Sequence, residues 1–241
     1  MTEIKPYSNS TKGKKDQVAE MFDNIAPRYD FLNHFLSFGI EKVWRRKAIR
    51  ILMKHSPSMI LDVATGTGDF AIESLKTGAQ KVIGVDISEE MLAVGRIKIK
   101  ALGVDHRIIL QNGDSEALEF ADNMFDAVTI AFGVRNFEHL SKGIDELFRV
   151  MKPGAIICVL EFSKPKHFPV KQMYSFYSFY ILPSLGRLFS KDKSAYRYLP
   201  ESVEQFPDGE EFLKVLKKSG FAQTGEYRQT FGVATIYTGI K

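Results

Sequence analysis

Residues 60–70 read ILDVATGTGDF: an apolar run, then Ala64-Thr65-Gly66-Thr67-Gly68, then the start of a helix near Asp69. A strand that turns this sharply into a helix needs glycine, whose backbone bends freely and comes close to a ligand. Such turns belong to open α/β sheets, which bind ligands at the carboxyl ends of their strands. The rest of the chain agrees. Apolar runs at 58–63, 81–86, 107–112, 125–132 and 155–162 read as strands. Helical patterns lie between them, including 88–103, with Ser88 as N-cap and Gly103 as stop, and 138–151, stopped by Lys152-Pro153-Gly154. This order predicts an α/β fold, a Rossmann-like and mostly parallel sheet with helices on both faces. After a helix at 208–219, the runs AQTGEYRQ and GVATIYTG predict a C-terminal antiparallel hairpin. Residues 14–55 read as an N-terminal helical cap, 163–206 as an aromatic lid insertion and 1–13 as a flexible polar tail. Residues 14–241 thus form a single domain.

Asp86 ends the second strand, eighteen residues after Gly68, where a carboxylate can accept hydrogen bonds from both ribose hydroxyls. Asp114 and Ser115 end the third, placed to meet an adenine edge. GTGDFA satisfies the dinucleotide fingerprint G-x-G-x-x-G/A, which favours NAD. Asp62-x-Ala64-x-Gly66-x-Gly68 also satisfies the D-x-A-x-G-x-G turn of class I methyltransferases, which bind S-adenosylmethionine. Asp62 favours the second. Its carboxylate can order the loop or meet the cofactor's ammonium, whereas a pyrophosphate gains nothing from an anion there. The one Tyr-x-x-x-Lys match, Tyr237 with Lys241, lies in a strand-like run and cannot form a dehydrogenase dyad.

Several function classes drop out. A net charge of +4 is small for a dedicated nucleic-acid binder. The five histidines are scattered and there is one cysteine, so no metal site is expected. Cys158 sits inside a strand as a small core hydrophobe, which argues against a cytosine methyltransferase nucleophile. AFGVRNFEHL (131–140) lacks the Pro-Pro turn of adenine N-methyltransferases. The polar N-terminus does not read as a secretory signal, and no apolar run is long enough to span a bilayer. A cytoplasmic chain is expected, at most peripheral to the inner face of the cytoplasmic membrane.

Four segments carry a specific resemblance: 21–44, 113–136, 149–165 and YRYLPESVEQFP at 196–207. From about Lys14 onward the chain resembles the C-methyltransferases of ubiquinone and menaquinone biosynthesis. It departs from the usual pattern at Leu32, Glu41 (commonly His), Ala131, Asp114-Ser115 and Ala155, and nowhere at Gly66, Thr67, Gly68 or Asp86. The resemblance implies S-adenosylmethionine as cofactor, with Asp62, Gly66, Thr67, Gly68, Asp86, Asp114 and Ser115 around it. It implies methyl transfer to a ring carbon of a polyprenylated quinol, with demethylmenaquinol favoured over the benzoquinol of the ubiquinone pathway. A non-catalytic, nucleotide-binding accessory protein of a quinone-biosynthesis complex is the alternative from another class. No nucleic-acid partner is expected, and a homodimer is left open.

The chemistry sets its own demands. A phenolic hydroxyl titrates near about 10, so its ionisation needs a base or a positive charge. Arg135, after the fourth strand, suits the charge but cannot serve as base; a surface ion pair is the competing role. Asn136 can fix the quinol oxygen, and Tyr29 with Asp30 can cap the site or simply pack. Met173, Phe176, Tyr177 and Tyr180 recur at helical spacing, widened by Tyr174 and Phe179, either as a core-facing lid helix or as a channel for the prenyl tail. Lys42, Arg46, Arg50 and Lys54 form a basic row, opposite Trp44, Ala48, Ile51 and Leu52. That row is either a solvated face or a transient contact with a membrane surface.

Overall fold

The computed structural model describes residues 4–7, 9–37, 39–181 and 193–241. Its centre is a seven-stranded sheet in the order β3-β2-β1-β4-β5-β7-β6. The strands are β1 (Met59–Val63), β2 (Lys81–Asp86), β3 (Ile108–Asn112), β4 (Phe125–Ala131), β5 (Met151–Phe162), β6 (Ala222–Gln229) and β7 (Ala234–Ile240). β1 to β5 are parallel, and β7 enters antiparallel between β5 and β6. The expected mostly parallel sheet with an antiparallel C-terminal pair is therefore present.

Strand side chains alternate between two cores. Leu61, Val63, Ile83 and Ile157 face one, filled by α6 (Leu140–Val150) and α9 (Glu210–Lys218). Ile60, Val82, Cys158 and Leu160 face the other, filled by α3 (Ile40–Met53), α4 (Asp69–Ser74) and α5 (Glu89–Ala101). Ser88 caps α5 as expected, its hydroxyl accepting from the Met91 N–H at 3.2 Å. Burial pushes the Cys158 thiol up to about 12, which suits a core residue and not a nucleophile.

One expectation needs correction. Lys152-Pro153-Gly154 follow the end of α6 at Val150 as expected, but they lie inside the fifth strand, expected only from residue 155. β5 begins earlier, at Met151, which pairs with Phe125 before the register shifts. The missing proline N–H and the positive φ of Gly154 (82°) fit such an irregularity.

The cap consists of α1 (Lys14–Ile25), a short 3₁₀ turn at Ala26–Arg28, α2 (Tyr29–Leu36) and α3. Val18 and Met21 of α1 pack with Tyr198 of α8 (Lys193–Gln205), so the cap and the insertion meet. The segment read as a polar tail makes specific contacts: Gln17 Oε1 accepts from the Tyr7 N–H at 2.9 Å, and Pro6 is buried. The insertion's first helix, α7 (Val170–Phe176), continues as a π-helical turn over Tyr177–Ile181. Residues 182–192 of the insertion lie outside the described residues.

Candidate active site

The glycine turn after β1 is held from behind. Asp62 is buried, and its carboxylate accepts from Thr129 Oγ1 and Thr65 Oγ1, each at 2.6 Å. Burial pushes this carboxyl up to about 6, against the pull of the two hydroxyls. The turn itself uses left-handed backbone at Gly66 (φ 56°) and Gly68 (φ 79°). Thr67 faces away from the sheet's cleft. Its hydroxyl donates to Asp30, and Lys98 Nζ joins Asp30 (2.7 Å), Thr67 Oγ1 (3.0 Å) and Asp69 (2.6 Å). Arg45 completes the cluster through Asp69 at 3.0 Å. The cap is thereby tied to the turn, a network that no sequence spacing reveals.

Asp86 holds the turn from the cleft side. Its Oδ2 accepts from the Gly66 N–H at 2.8 Å and its Oδ1 from the Ser88 N–H at 2.9 Å. Burial raises this carboxyl to about 6 as well. Gly66, Asp86, Asp114 and Ser115 line a small cavity of about 60 Å³ at the carboxyl ends of β1 to β4. Lys15 of α1 reaches across it to Asp114 Oδ2 at 2.8 Å. Gly133 also lines this cavity; a side chain there would collide with the Ala64 Cβ, so only glycine fits. Sequence reading missed both Gly133 and Lys15. Asp62, Thr67 and Gly68 line neither cavity, because Asp62 is spent on the loop, Thr67 on Asp30, and Gly68 abuts Ile99 and Leu110.

A second cavity of about 640 Å³ lies between the cap, the insertion and the ends of β4, β5 and β7. Its wall is mainly aromatic and aliphatic, with Trp44, Phe162, Met173, Tyr174 and Tyr177 among its residues. Trp44 is fixed by its indole N–H, which donates to Thr230 Oγ1 at 2.8 Å. Phe22, Tyr29, Phe132 and Asn136 line both cavities and so mark where they meet. Asn136 Oδ1 is buried there with no hydrogen-bond partner, an acceptor available to a ligand.

Arg135 lines the larger cavity only. It is neither a free cation nor a surface ion pair. Its Nη1 lies 2.6 Å from Glu161 Oε1, and both side chains are buried. The same nitrogen donates to the Phe132 carbonyl, and Nε donates to Ser202 Oγ at 3.3 Å. Glu161, one residue before the carboxyl end of β5, was invisible to sequence reasoning. Burial raises its carboxyl despite the guanidinium beside it.

The aromatic stripe also differs from expectation. Met173, Tyr174 and Tyr177 line the cavity, while Phe176 and Tyr180 stack on one another outside it, ring centres 5.5 Å apart. The cavity takes the adjoining face of α7, with Met173, Tyr174 and Tyr177, and leaves Phe176 and Tyr180 exposed. Burial pushes the Tyr174 hydroxyl up to about 12.

A small cavity bearing carboxylates at the switch point of the sheet thus adjoins a large apolar one. Over residues 10–241 the sequence matches the model of the ubiE/COQ5 methyltransferase family. The chain belongs to that family. It is 52% identical over 239 residues to the demethylmenaquinone methyltransferase of Bacteroides fragilis, covering 99% of this chain and 97% of that one. It is 46% identical over 240 residues to the ubiquinone/menaquinone biosynthesis C-methyltransferase UbiE of Geobacter sulfurreducens, covering 99% and 93%. Among solved structures it is similar to a SAM-dependent methyltransferase from Aquifex aeolicus. The TM-score is 0.58 at 19% identity, covering 80% of this chain and 88% of that one. That likeness is one of fold. As a member of the family, the chain is a methyltransferase.

Proposed function

We propose that this chain transfers a methyl group from S-adenosylmethionine to a ring carbon of demethylmenaquinol, giving menaquinol. The observation that carries the reading is the junction at Phe22, Tyr29, Phe132 and Asn136, where the cavity bearing Asp86 and Asp114 meets an apolar cavity of about 640 Å³. That volume suits a fused ring and the first part of a prenyl tail. The names of the relatives at 52% and 44% identity favour the naphthoquinol over the benzoquinol.

The residues present fit the cofactor. Asp86 would accept from the ribose hydroxyls, Asp114 and Ser115 would meet the adenine edge, and the glycine turn would let the backbone approach. Bound there, S-adenosylmethionine supplies a methyl group on a cationic sulfur. This chain's own residues do the rest. Asn136 Oδ1 accepts from the quinol hydroxyl and orients the ring, with Tyr29 closing the junction from the cap. Arg135 and Glu161 act on the cavity as a dipole, since the guanidinium charge is balanced at 2.6 Å. The aromatic walls exclude water, which strengthens every such contact.

A membrane surface delivers a substrate with this tail. Lys42, Arg46, Arg50 and Lys54 are exposed along α3, with no ion pair among the described residues, and they suit anionic lipid headgroups. No helix among the described residues is long and apolar enough to cross a membrane.

Anaerobic incubation with methyl-labelled S-adenosylmethionine and demethylmenaquinol tests the activity, with the benzoquinol in a parallel arm. Label in menaquinol supports the reading. Label only in the benzoquinol product overturns the substrate, and label in neither points to the non-catalytic accessory role.

A further inference from the structure

The larger cavity contains one feature that its apolar character does not explain. Among the described residues, Glu41 is the carboxylate on its wall. The two cations that share the wall already have partners, Arg45 in Asp69 and Arg135 in Glu161. The Glu41 side chain is only 7% exposed, whereas His34, its neighbour from α2, is 56% exposed. His34 Nδ1 lies 3.3 Å from Glu41 Oε1, and Ser37 Oγ donates to Glu41 Oε2. An anion costs much to hold in an apolar wall, and one hydroxyl and a solvent-facing imidazole are a thin set of partners for it. The pair reaches from the cavity at one end to bulk water at the other.

Its place along α3 brings it near the chemistry. Glu41 lies one helical turn before Trp44, and the Trp44 ring packs 6.2 Å from Phe132, a residue of the junction. In the family to which the resemblance points, position 41 is commonly histidine. Here the imidazole arrives from the neighbouring helix instead.

We propose that Glu41 takes the proton released when the quinol is methylated, and that His34 passes it to solvent. The assignment rests on the quinol methyltransferase reading above. In the reaction a carbon–carbon bond forms and the methyl–sulfur bond breaks, its electron pair staying on sulfur as a neutral thioether. The ring carbon then loses its hydrogen as a proton, and the C–H electron pair restores aromaticity. One proton must leave an apolar cavity, and among the described lining residues Glu41 is the carboxylate that can take it. Of the other polar groups on the cavity wall, Arg45 carries no acceptor, Ser37 donates to Glu41, and Tyr174 and Tyr177 keep their protons as phenols. Glu41 acts as a catalytic residue and His34 as a positioning and relay residue.

Glu41→Gln keeps the size and the hydrogen bond with Ser37 but removes the base. Turnover should fall by about a hundredfold or more, in the range general acid–base catalysis supplies. Affinity for an oxidised long-tailed menaquinone analogue, which has no proton to give, should stay within about threefold. Trp44, the only tryptophan, reports that binding by fluorescence. Glu41→His should retain turnover within about tenfold. His34→Ala should lose about tenfold and regain rate with added imidazole, in proportion to its free base, because the site opens to solvent. Wild-type turnover in Glu41→Gln overturns the assignment. So does a loss of quinone binding equal to the loss of rate, or a His34→Ala defect that imidazole leaves unchanged, since those results describe a packing role. Absence of methyl transfer by the wild-type chain overturns the activity itself, so the two failures are told apart.

Discussion

Asp86 does two tasks with one carboxylate, and pH separates them. Its oxygens already take the N–H groups of Gly66 and Ser88, and burial raises it to about 6. Only the ionised form accepts hydrogen bonds from both ribose hydroxyls. At about pH 5, one unit below that value, roughly a tenth of the sites are ionised, so affinity for S-adenosylhomocysteine should fall about tenfold relative to about pH 7.5, or about 1.4 kcal/mol. Asp86→Asn removes the charge. With about 1.5–3 kcal/mol per charged hydrogen bond and non-additive loss, affinity should drop by about 2–4 kcal/mol, roughly thirty- to a thousandfold, and lose its pH dependence. The variant also tests linkage. A carboxyl raised above its unfolded value of about 3.9 stabilises the fold below that pH, and the contribution is lost as pH rises through about 6. Asn resembles the protonated carboxyl, so wild type and Asp86→Asn should be nearest in stability below about pH 4, and wild type should lose ground to the variant as pH rises through about 6. Calorimetric titration across pH, paired with denaturant unfolding, gives both numbers. Wild-type affinity that is flat from about pH 5 to 7.5, or an Asn variant that binds within about threefold, refutes the reasoning.

Arg135→Gln should destabilise the chain by about 3–5 kcal/mol, because it strands the buried Glu161, and Arg135→Gln with Glu161→Gln should recover most of that in urea melts. A double variant no more stable than the single one would place the support elsewhere. Tyr177→Ala should raise KM for a long-tailed quinol about tenfold but hardly that of a tailless one, whereas Phe176→Ala, outside the cavity, should leave both unchanged. Equal shifts for the two quinols would assign Tyr177 to packing. Replacing Lys42, Arg46 and Arg50 with Glu should abolish salt-sensitive cosedimentation with phosphatidylglycerol vesicles; unchanged cosedimentation would make the row an ordinary solvated face.

The central strands were legible because β1, β2, β4 and most of β5 are apolar on both faces. β1, β2 and β6 match their sequence boundaries to within a residue. β5 was read short because Pro153-Gly154 is a breaker in isolation, and only its pairing with β4 shows that an irregular strand absorbs it. In the site, Asp86 was legible because a carboxylate at a strand end has few structural uses there. Asp62, three residues before Thr65, was legible as a loop residue but not in its partners, since Thr129 comes from another strand. Glu161 and Glu41 carried no local signal. A charged residue in a strand or on a helix reveals its partner only after the fold brings Arg135 or His34 to it.

α1 forms part of both cavities, through Lys15 and Val18 on one side, Met21 and Ile25 on the other, and Phe22 on both. A ligand in either cavity rests against this one helix, so a shift of the helix at one is felt at the other. The two ligands are then coupled through one rigid body. Whatever factor the nucleoside contributes to quinol affinity by resetting α1, the quinol must return to nucleoside affinity in equal measure. The Lys15–Asp114 latch, at 2.8 Å, opposes that movement from the nucleoside side alone. Weakening it would make the empty enzyme more receptive to its first ligand and leave less cooperativity for the second.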